Sequence, residues 1–413
     1  MNRTTRVVAL IVMVAFTSRA GGADSPRFRG LAGDGVFAET GLLKEWPAGG
    51  PKLVWSRTGL GLGYSSATVV DGTVYITGMD GAKQGHLYAF GQDGSPQWNV
   101  VYGPELDKTG PAPGGTRGTP TIDGDRIFLM TGFAKLVVLN KADGKVLKTI
   151  DLLERFGAGQ AKFGFGECVL VDGQKVICTP GGPDASLVAL DRDTGATIWK
   201  TEGLSQPAGY CSARLLRHNG KKLIVTMLEK VVVGIDADTG KVLWQYDFPN
   251  RFGVLPNPPL YADGMLYVVG GGGTGGTLLE LADDAMSVTE TWKDRTLDCQ
   301  MQGTVLVDGC IYGTAQSGKR GLVCLDWETG EVHWNADSVG QASVVAADGT
   351  LYVYGQDGTM YLVEPSPAAF RPKGLFTVSQ GTAEHWAHPT VAHGRLYIRH
   401  GDALMAYDVK SGS

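Results

Sequence analysis

Ala67-Thr68-Val69-Val70-Asp71-Gly72-Thr73-Val74-Tyr75-Ile76 reads as an apolar strand, a tight Asp-Gly turn and a second apolar strand carrying an aromatic residue. Alternation on both sides of Asp-Gly is the strongest short-range hairpin signal a sequence offers. The phrase returns with its turn at Asp123, Asp172, Asn219, Asp263, Asp308, Asp348 and His393, at intervals of 40 to 52 residues. A period of about 40–50 residues built only from strands is the signature of a propeller blade. The chain is therefore predicted to be all-β, an eight-bladed β-propeller of four-stranded antiparallel blades.

Working outward, each hairpin is followed by another. Its clearest copies are Leu187 to Trp199, Val232 to Trp244 and Leu322 to Trp334. In Asp191-Arg192-Asp193-Thr194-Gly195, Asp and Thr side chains can bond the local backbone and Gly accepts positive φ. The tryptophan that closes the outer strand is placed to wedge between neighbouring blades, where a large ring buries most area. Trp55, Trp98, Trp199, Trp244 and Trp334 are the predicted docking residues. The last repeat ends without an outer strand, and Pro51-Lys52-Leu53-Val54-Trp55 supplies one. The ring is therefore expected to close by an N-terminal outer strand near Trp55, which leaves no open edge.

Residues 51–413 form the predicted ring, and residues 24–50 a strap lying on one of its faces. Residues 1–23 read as a signal peptide: Arg3 and Arg6, an apolar run from Val7 to Phe16, then small residues to Ala23. Ten apolar residues are too few to span a bilayer, which needs about 20. The expected location is extracytoplasmic, periplasmic or secreted, with no transmembrane segment after cleavage. The net charge of −5 and the 19% of charged residues, with no basic cluster, argue against a nucleic-acid footprint. Residues 102–116 are the largest Pro/Gly-rich insertion, placed to shape a binding mouth.

None of the six cysteines forms a C-x-x-C motif or an adjacent pair. Cys168 and Cys178 flank one hairpin turn. If that turn is centred on Gly173 they lie opposite each other, where an oxidising compartment permits a disulfide; two buried thiols are the plainer reading.

The innermost strand of each blade lines the axis, so the residues just before each first hairpin surround one mouth. This selects Tyr64, Arg117, Phe165, Glu167, Arg214, Gln302, Trp386 and His388 as candidates, with Met301 beside them and Asp298, Gln300, Glu384 and His385 just outside. Aromatics stack and arginines pair bidentately with carboxylates, so a small planar, anionic or polyhydroxylated ligand, or a protein partner, would suit the funnel. The structural alternatives are an Arg117–Glu167 pair steadying the ring and a similar role for Arg214. His385 and His388 are three apart, which on a strand sets them on opposite faces and disfavours a shared metal. No nucleophile elbow, P-loop or H-E-x-x-H motif occurs. The Gly270–Gly276 run has no helix after it to make a phosphate cradle.

The Ala189-x-Asp191-x-x-Thr194-Gly195-x-x-x-Trp199 spacing resembles the tryptophan-docking repeat of the pyrroloquinoline-quinone (PQQ) propellers, across residues 50–413. Gly115 to Pro120, Cys178 to Asp184, Trp386 to Pro389 and Phe28-Arg29-Gly30 look like secreted PQQ-binding-like members of that family. The resemblance implies the fold. It is weaker for function, because one blade type serves catalysts and scaffolds. Quinoprotein dehydrogenases hold PQQ against two adjacent bonded cysteines and place calcium beside it. Neither feature can be matched here residue by residue. A non-catalytic binding or scaffold module is the leading expectation, with no cofactor assigned. The rival is a PQQ- and calcium-dependent alcohol or sugar dehydrogenase, in which Trp386 or Tyr64 stacks on the quinone and Arg117 and Arg214 hold its carboxylates. A third reading pairs Glu167 with Asp298 or Glu384 as glycosidase-type carboxylates.

Overall fold

A computed structural model describes residues 22–107, 113–316 and 320–412; most of the predicted signal peptide and the centre of the 102–116 insertion lie outside them. Eight antiparallel sheets follow one another along the chain, each with its strands in meander order. Blade 1 spans Thr68–Val70, Thr73–Met79, Gln84–Gly91 and Pro96–Pro104 from axis to rim. The last blade takes its outer strand, Leu53–Arg57, from the N-terminal side of the ring. That strand pairs antiparallel with Ala403–Asp408, Trp55 opposite Ala406. The only α-helix among the described residues is the five-residue segment Leu152–Phe156. No helix there is long and apolar enough to cross a membrane.

The turn chemistry explains the repeat. Asp191 Oδ1 accepts hydrogen bonds from Thr194 N and Oγ1 and from Asp193 N. Asp236 with Thr239 and Asp326 with Thr329 repeat the arrangement. The glycine that ends such a turn carries the neighbouring blade's aromatic ring. A Cβ on Gly94 would lie 2.7 Å from Trp55, and one on Gly240 would lie 2.5 Å from Trp199. The indole of Trp199 also donates to Ala237 O, and that of Trp334 to Ser366 O. Trp98 covers Gly144. Trp244 packs in the core cluster that holds Ala285, its Nε1 without a hydrogen-bond partner among the described residues. The degenerate fifth repeat contributes Trp292, which docks over Gly330 and donates to Trp327 O. Where the second blade lacks a tryptophan, Ile150 covers Gly195.

A second ring of bonds runs near the axis. Thr68, Thr121 and Thr390 each donate a side-chain hydroxyl to a carbonyl of the next blade, at Pro120, Val169 and Ala67. In blade 4 the same link is made by Arg214 Nη1 to Pro259 O at 2.7 Å.

Two of the eight first turns differ from expectation. Asp71, Asn219, Asp263, Asp308, Asp348 and His393 take positive φ and occupy the first loop position. Asp123 and Asp172 instead end their strands, opposite Arg126 and Lys175, and the loops become Gly124-Asp125 and Gly173-Gln174. The pairing register therefore moves by one residue, which reverses the facing of every side chain relative to a turn centred on Gly173. The predicted opposition of Cys168 and Cys178 fails for this reason. Leu170 pairs with Ile177, so Cys178 continues the ladder opposite Val169 and packs with it in the core between blades 2 and 3. Cys168 faces the axis, and both thiols are free.

Residues 22–50 cross the face that carries the first turns. Ser25 bridges to Val69, Val36–Phe37 add a parallel fifth strand against Ala346 and Ala347, and Trp46 N donates to Lys373 O.

Candidate functional site

The strap makes the propeller's axis a blind cup. Arg27 Nη2 donates to Ala213 O. Arg29 donates to Val344 O, Thr304 O, Asp34 O and His388 Nδ1. Both guanidiniums are buried, with pKa lowered to about 10, chiefly by desolvation. Phe28, between them in sequence, projects into the cup on the opposite side from the first turns. Its ring meets His388 edge-on at 5.0 Å.

The cup has a volume of about 280 Å³ and is walled by Tyr64, Trp386, Phe163, Tyr210, Val254, Pro256, Met301 and Arg117, with Gln300 at one side. Tyr64 and Trp386 form one aromatic pair at 5.2 Å, and Phe163 and Tyr210 another at 6.2 Å. The Tyr64 hydroxyl donates to Glu384 Oε2 at 2.5 Å; burial and this acceptor hold the phenol protonated. Behind Tyr64 the buried Arg399 ties Gly61 O to Ser65 Oγ. Arg117 donates from Nη2 to Pro113 O at 2.7 Å, its one hydrogen bond among the described residues. Burial lowers its pKa. His388 accepts from Arg29 at Nδ1 and donates from Nε2 to Met301 O at 2.9 Å, which fixes a neutral tautomer. Burial, followed by the charge of Arg29, holds its pKa near 3.

Four of the eight predicted positions line this cup: Tyr64, Arg117, Trp386 and His388. The other four face elsewhere. Phe165 is buried in the core between blades 2 and 3. Glu167 is buried and accepts from Thr179 N at 2.7 Å, so no Arg117–Glu167 pair forms among the described residues. Arg214 is a clasp, bonded to Pro259 O, to Ala32 O and, at 3.2 Å, to Asp34 of the strap. Gln302 is buried, its Oε1 accepting from Met301 N. Counting back from each turn selects innermost strands, whereas Phe163, Tyr210, Val254 and Pro256 stand on the loops before them. Phe28 comes from the strap, whose Phe-Arg-Gly has no strand period to place it.

The donors present decide what the cup can hold. Among the described residues no carboxylate lines it, and they contain no group of three or more His, Cys, Asp or Glu able to hold a metal ion. Its floor is Phe28, and no bonded cysteine pair adjoins it. The donor set does not fit PQQ with calcium. The paired-carboxylate reading meets the same obstacle: Glu167 and Asp298 are buried on backbone N–H groups of Thr179 and Gly273, and Glu384 is spent on Tyr64. What remains is aromatic surface beside one guanidinium whose Nε and Nη1 make no hydrogen bond among the described residues, a binding surface for a flat group with a negative end.

Four overlapping stretches, residues 22–155, 83–250, 183–296 and 284–413, match the family described as outer membrane protein assembly factor BamB. The protein of that name from Burkholderia pseudomallei is 25% identical over 370 residues, covering 86% of this chain and 89% of its own. Among solved structures, BamB from Moraxella catarrhalis superposes with a TM-score of 0.63 at 14% identity, over 87% of this chain and 99% of that one. Quinohemoprotein alcohol dehydrogenase from Comamonas testosteroni gives 0.66 at 13%, over 94% and 81%. Similarity at that level speaks to fold alone, and it is shared by a protein of the assembly-factor family and an enzyme.

Proposed function

From the premise that this chain belongs to the BamB family of propellers, we propose that it is an extracytoplasmic binding and scaffold module that holds a partner or ligand in its axial cup and performs no chemistry of its own. The observation that carries the reading is the composition of the cup: among the described residues, five aromatic rings with Phe28 included, one guanidinium and no carboxylate. General acid–base work needs a group poised to exchange a proton near operating pH. Here His388 is locked neutral between Arg29 and Met301, and the Tyr64 phenol is held by Glu384. The family's named members are assembly factors, which agrees with a surface that binds. The N-terminal run of Arg3, Arg6 and Val7 to Phe16 supports that location.

Two measurements test the reading. 1-Anilinonaphthalene-8-sulfonate, an aromatic anion, should bind once per chain with enhanced fluorescence, and that binding should be lost in Trp386→Ser. A dye-coupled assay with simple alcohols and aldoses, supplemented with PQQ and calcium, should show no turnover. Failure of the probe to bind removes the cup as a site; turnover removes the non-catalytic assignment.

A further inference from the structure

The cup is closed below by Phe28 and the strap, so a polypeptide cannot thread it; a chain can present only a side chain or an end. At about 280 Å³ the space lies at the lower limit of small-molecule pockets, which run about 300–1,000 Å³. One aromatic residue fills much of it. The Arg117 guanidinium stands in the wall with its Nε and Nη1 free of hydrogen bonds among the described residues. Two more guanidiniums, Arg27 and Arg29, lie beneath the floor, bonded to main-chain oxygens and a neutral histidine rather than to side-chain carboxylates. Three guanidiniums thus converge on the cup, offset by Asp34 beside Arg27 and Arg29, by Glu105 toward Arg117 and by Glu384, which is bonded to Tyr64.

Outside the mouth the same character continues. Lys162 sits 5.2 Å over the ring of Phe163, and Arg251 sits 5.4 Å over Phe252, which is 51% exposed. A ligand confined to the cup leaves this apron unused. A chain that trails out of the cup covers it. The recess therefore asks for three things from its occupant: a ring, a carboxylate close to that ring, and atoms leading outward. The last residue of a polypeptide supplies all three when its side chain is aromatic.

Resting on the reading of the cup as a binding site, we propose that its occupant is the carboxyl terminus of a polypeptide ending in an aromatic residue. The terminal ring enters between the Tyr64–Trp386 and Phe163–Tyr210 pairs, and the terminal carboxylate takes two charge-assisted hydrogen bonds from Arg117. The preceding residues leave across Phe252.

The test uses fluorescence anisotropy with a labelled glycine-serine hexapeptide ending in phenylalanine. The free acid should bind about tenfold or more tighter than its carboxamide, and than the same peptide ending in alanine, because it alone supplies both ring and charge. Arg117→Gln should reduce the acid to the level of the amide while leaving the amide unchanged. N-acetylphenylalanine should compete about tenfold more weakly than the hexapeptide, since it lacks the trailing contacts. Equal binding of acid and amide overturns the proposal, and so does equal competition by N-acetylphenylalanine, which would make a free small molecule the occupant. If the anilinonaphthalene probe fills the cup and no peptide displaces it, the chain-end assignment falls and the cup stands. If neither binds, both fall. Trp386→Ser, whose melt reports folding independently, guards against a variant that simply fails to fold.

Discussion

The Trp55 indole donates its Nε1–H to the Gln92 carbonyl at 2.8 Å, and its ring lies over Gly94, so the final blade is bolted to the first by a strand from the other end of the ring. Trp199 makes the same pair of contacts with Ala237 O and Gly240 in the interior of the array. The seam is thus an ordinary inter-blade joint. Trp55→Ala should destabilise as Trp199→Ala does, by about 3–5 kcal/mol for a buried large aromatic. Chemical denaturation of both variants checks this, and a neutral Trp55→Ala contradicts a closed seam.

Gly94→Ala tests the same joint from the receiving side. Gly94 has φ 84°, and a methyl group there would sit 2.7 Å from the Trp55 ring. Left-handed strain and steric displacement act together, so destabilisation of about 2 kcal/mol or more is expected. The loss should be smaller in a Trp55→Ala background, since the ring is then gone, and a double-mutant cycle reads the coupling.

Arg29 fixes the strap. Its guanidinium satisfies three backbone carbonyls and the Nδ1 of His388. Arg29→Met keeps much of the volume but strands those acceptors in a dry site, at about 1–3 kcal/mol each and not additively. Hydrogen exchange should rise across residues 24–37, including the Gly35 amide that bonds Arg29 O, and stay unchanged in the outer strands of blades 2–5. Uniform exchange across the whole ring would instead assign Arg29 to global stability.

The blades were legible because their determinants are local. Asp and Thr cap the turn within four residues, and tryptophan recurs at a fixed offset from it. The cup was half legible. Tyr64, Arg117, Trp386 and His388 follow from their distance to a turn, but that count assumes each innermost strand runs straight into the mouth. Loops holding Phe163 and Tyr210 break the assumption, and Arg214 shows a polar inward residue used for inter-blade bonding. The strap was invisible as a floor because its Arg27 and Arg29 owe their position to carbonyls in blades 4, 6 and 7, a long-range fact without a sequence period.

Register supplies the prediction for the cysteines. With the turn at Gly173-Gln174, Cys168 faces the cup and Cys178 the core between blades 2 and 3. Protein purified without reductant should therefore show six reactive thiols per chain once denatured. Four thiols and a mass lower by two hydrogens would restore the disulfide and require a different register.

Glu167 gives the sharpest pH signature. Its carboxyl is buried, accepts the Thr179 amide, and has its pKa raised from 4.5 to about 7 by desolvation, the hydrogen bond opposing this only in part. Between those two pH values the unfolded chain has released this proton and the folded chain retains it. The folded state binds more protons, so stability falls as pH rises through the window, and the loss is complete above about pH 7. The full effect is on the order of 3 kcal/mol. Glu167→Gln keeps an amide oxygen for Thr179 N and has no charge to desolvate. It should be more stable than the parent at pH 8 and close to it at pH 4.5, where the parent's carboxyl is already neutral in the fold. Urea denaturation at the two pH values decides the matter. An equal difference at both would mean that Glu167 ionises in the fold as freely as in water, against its burial.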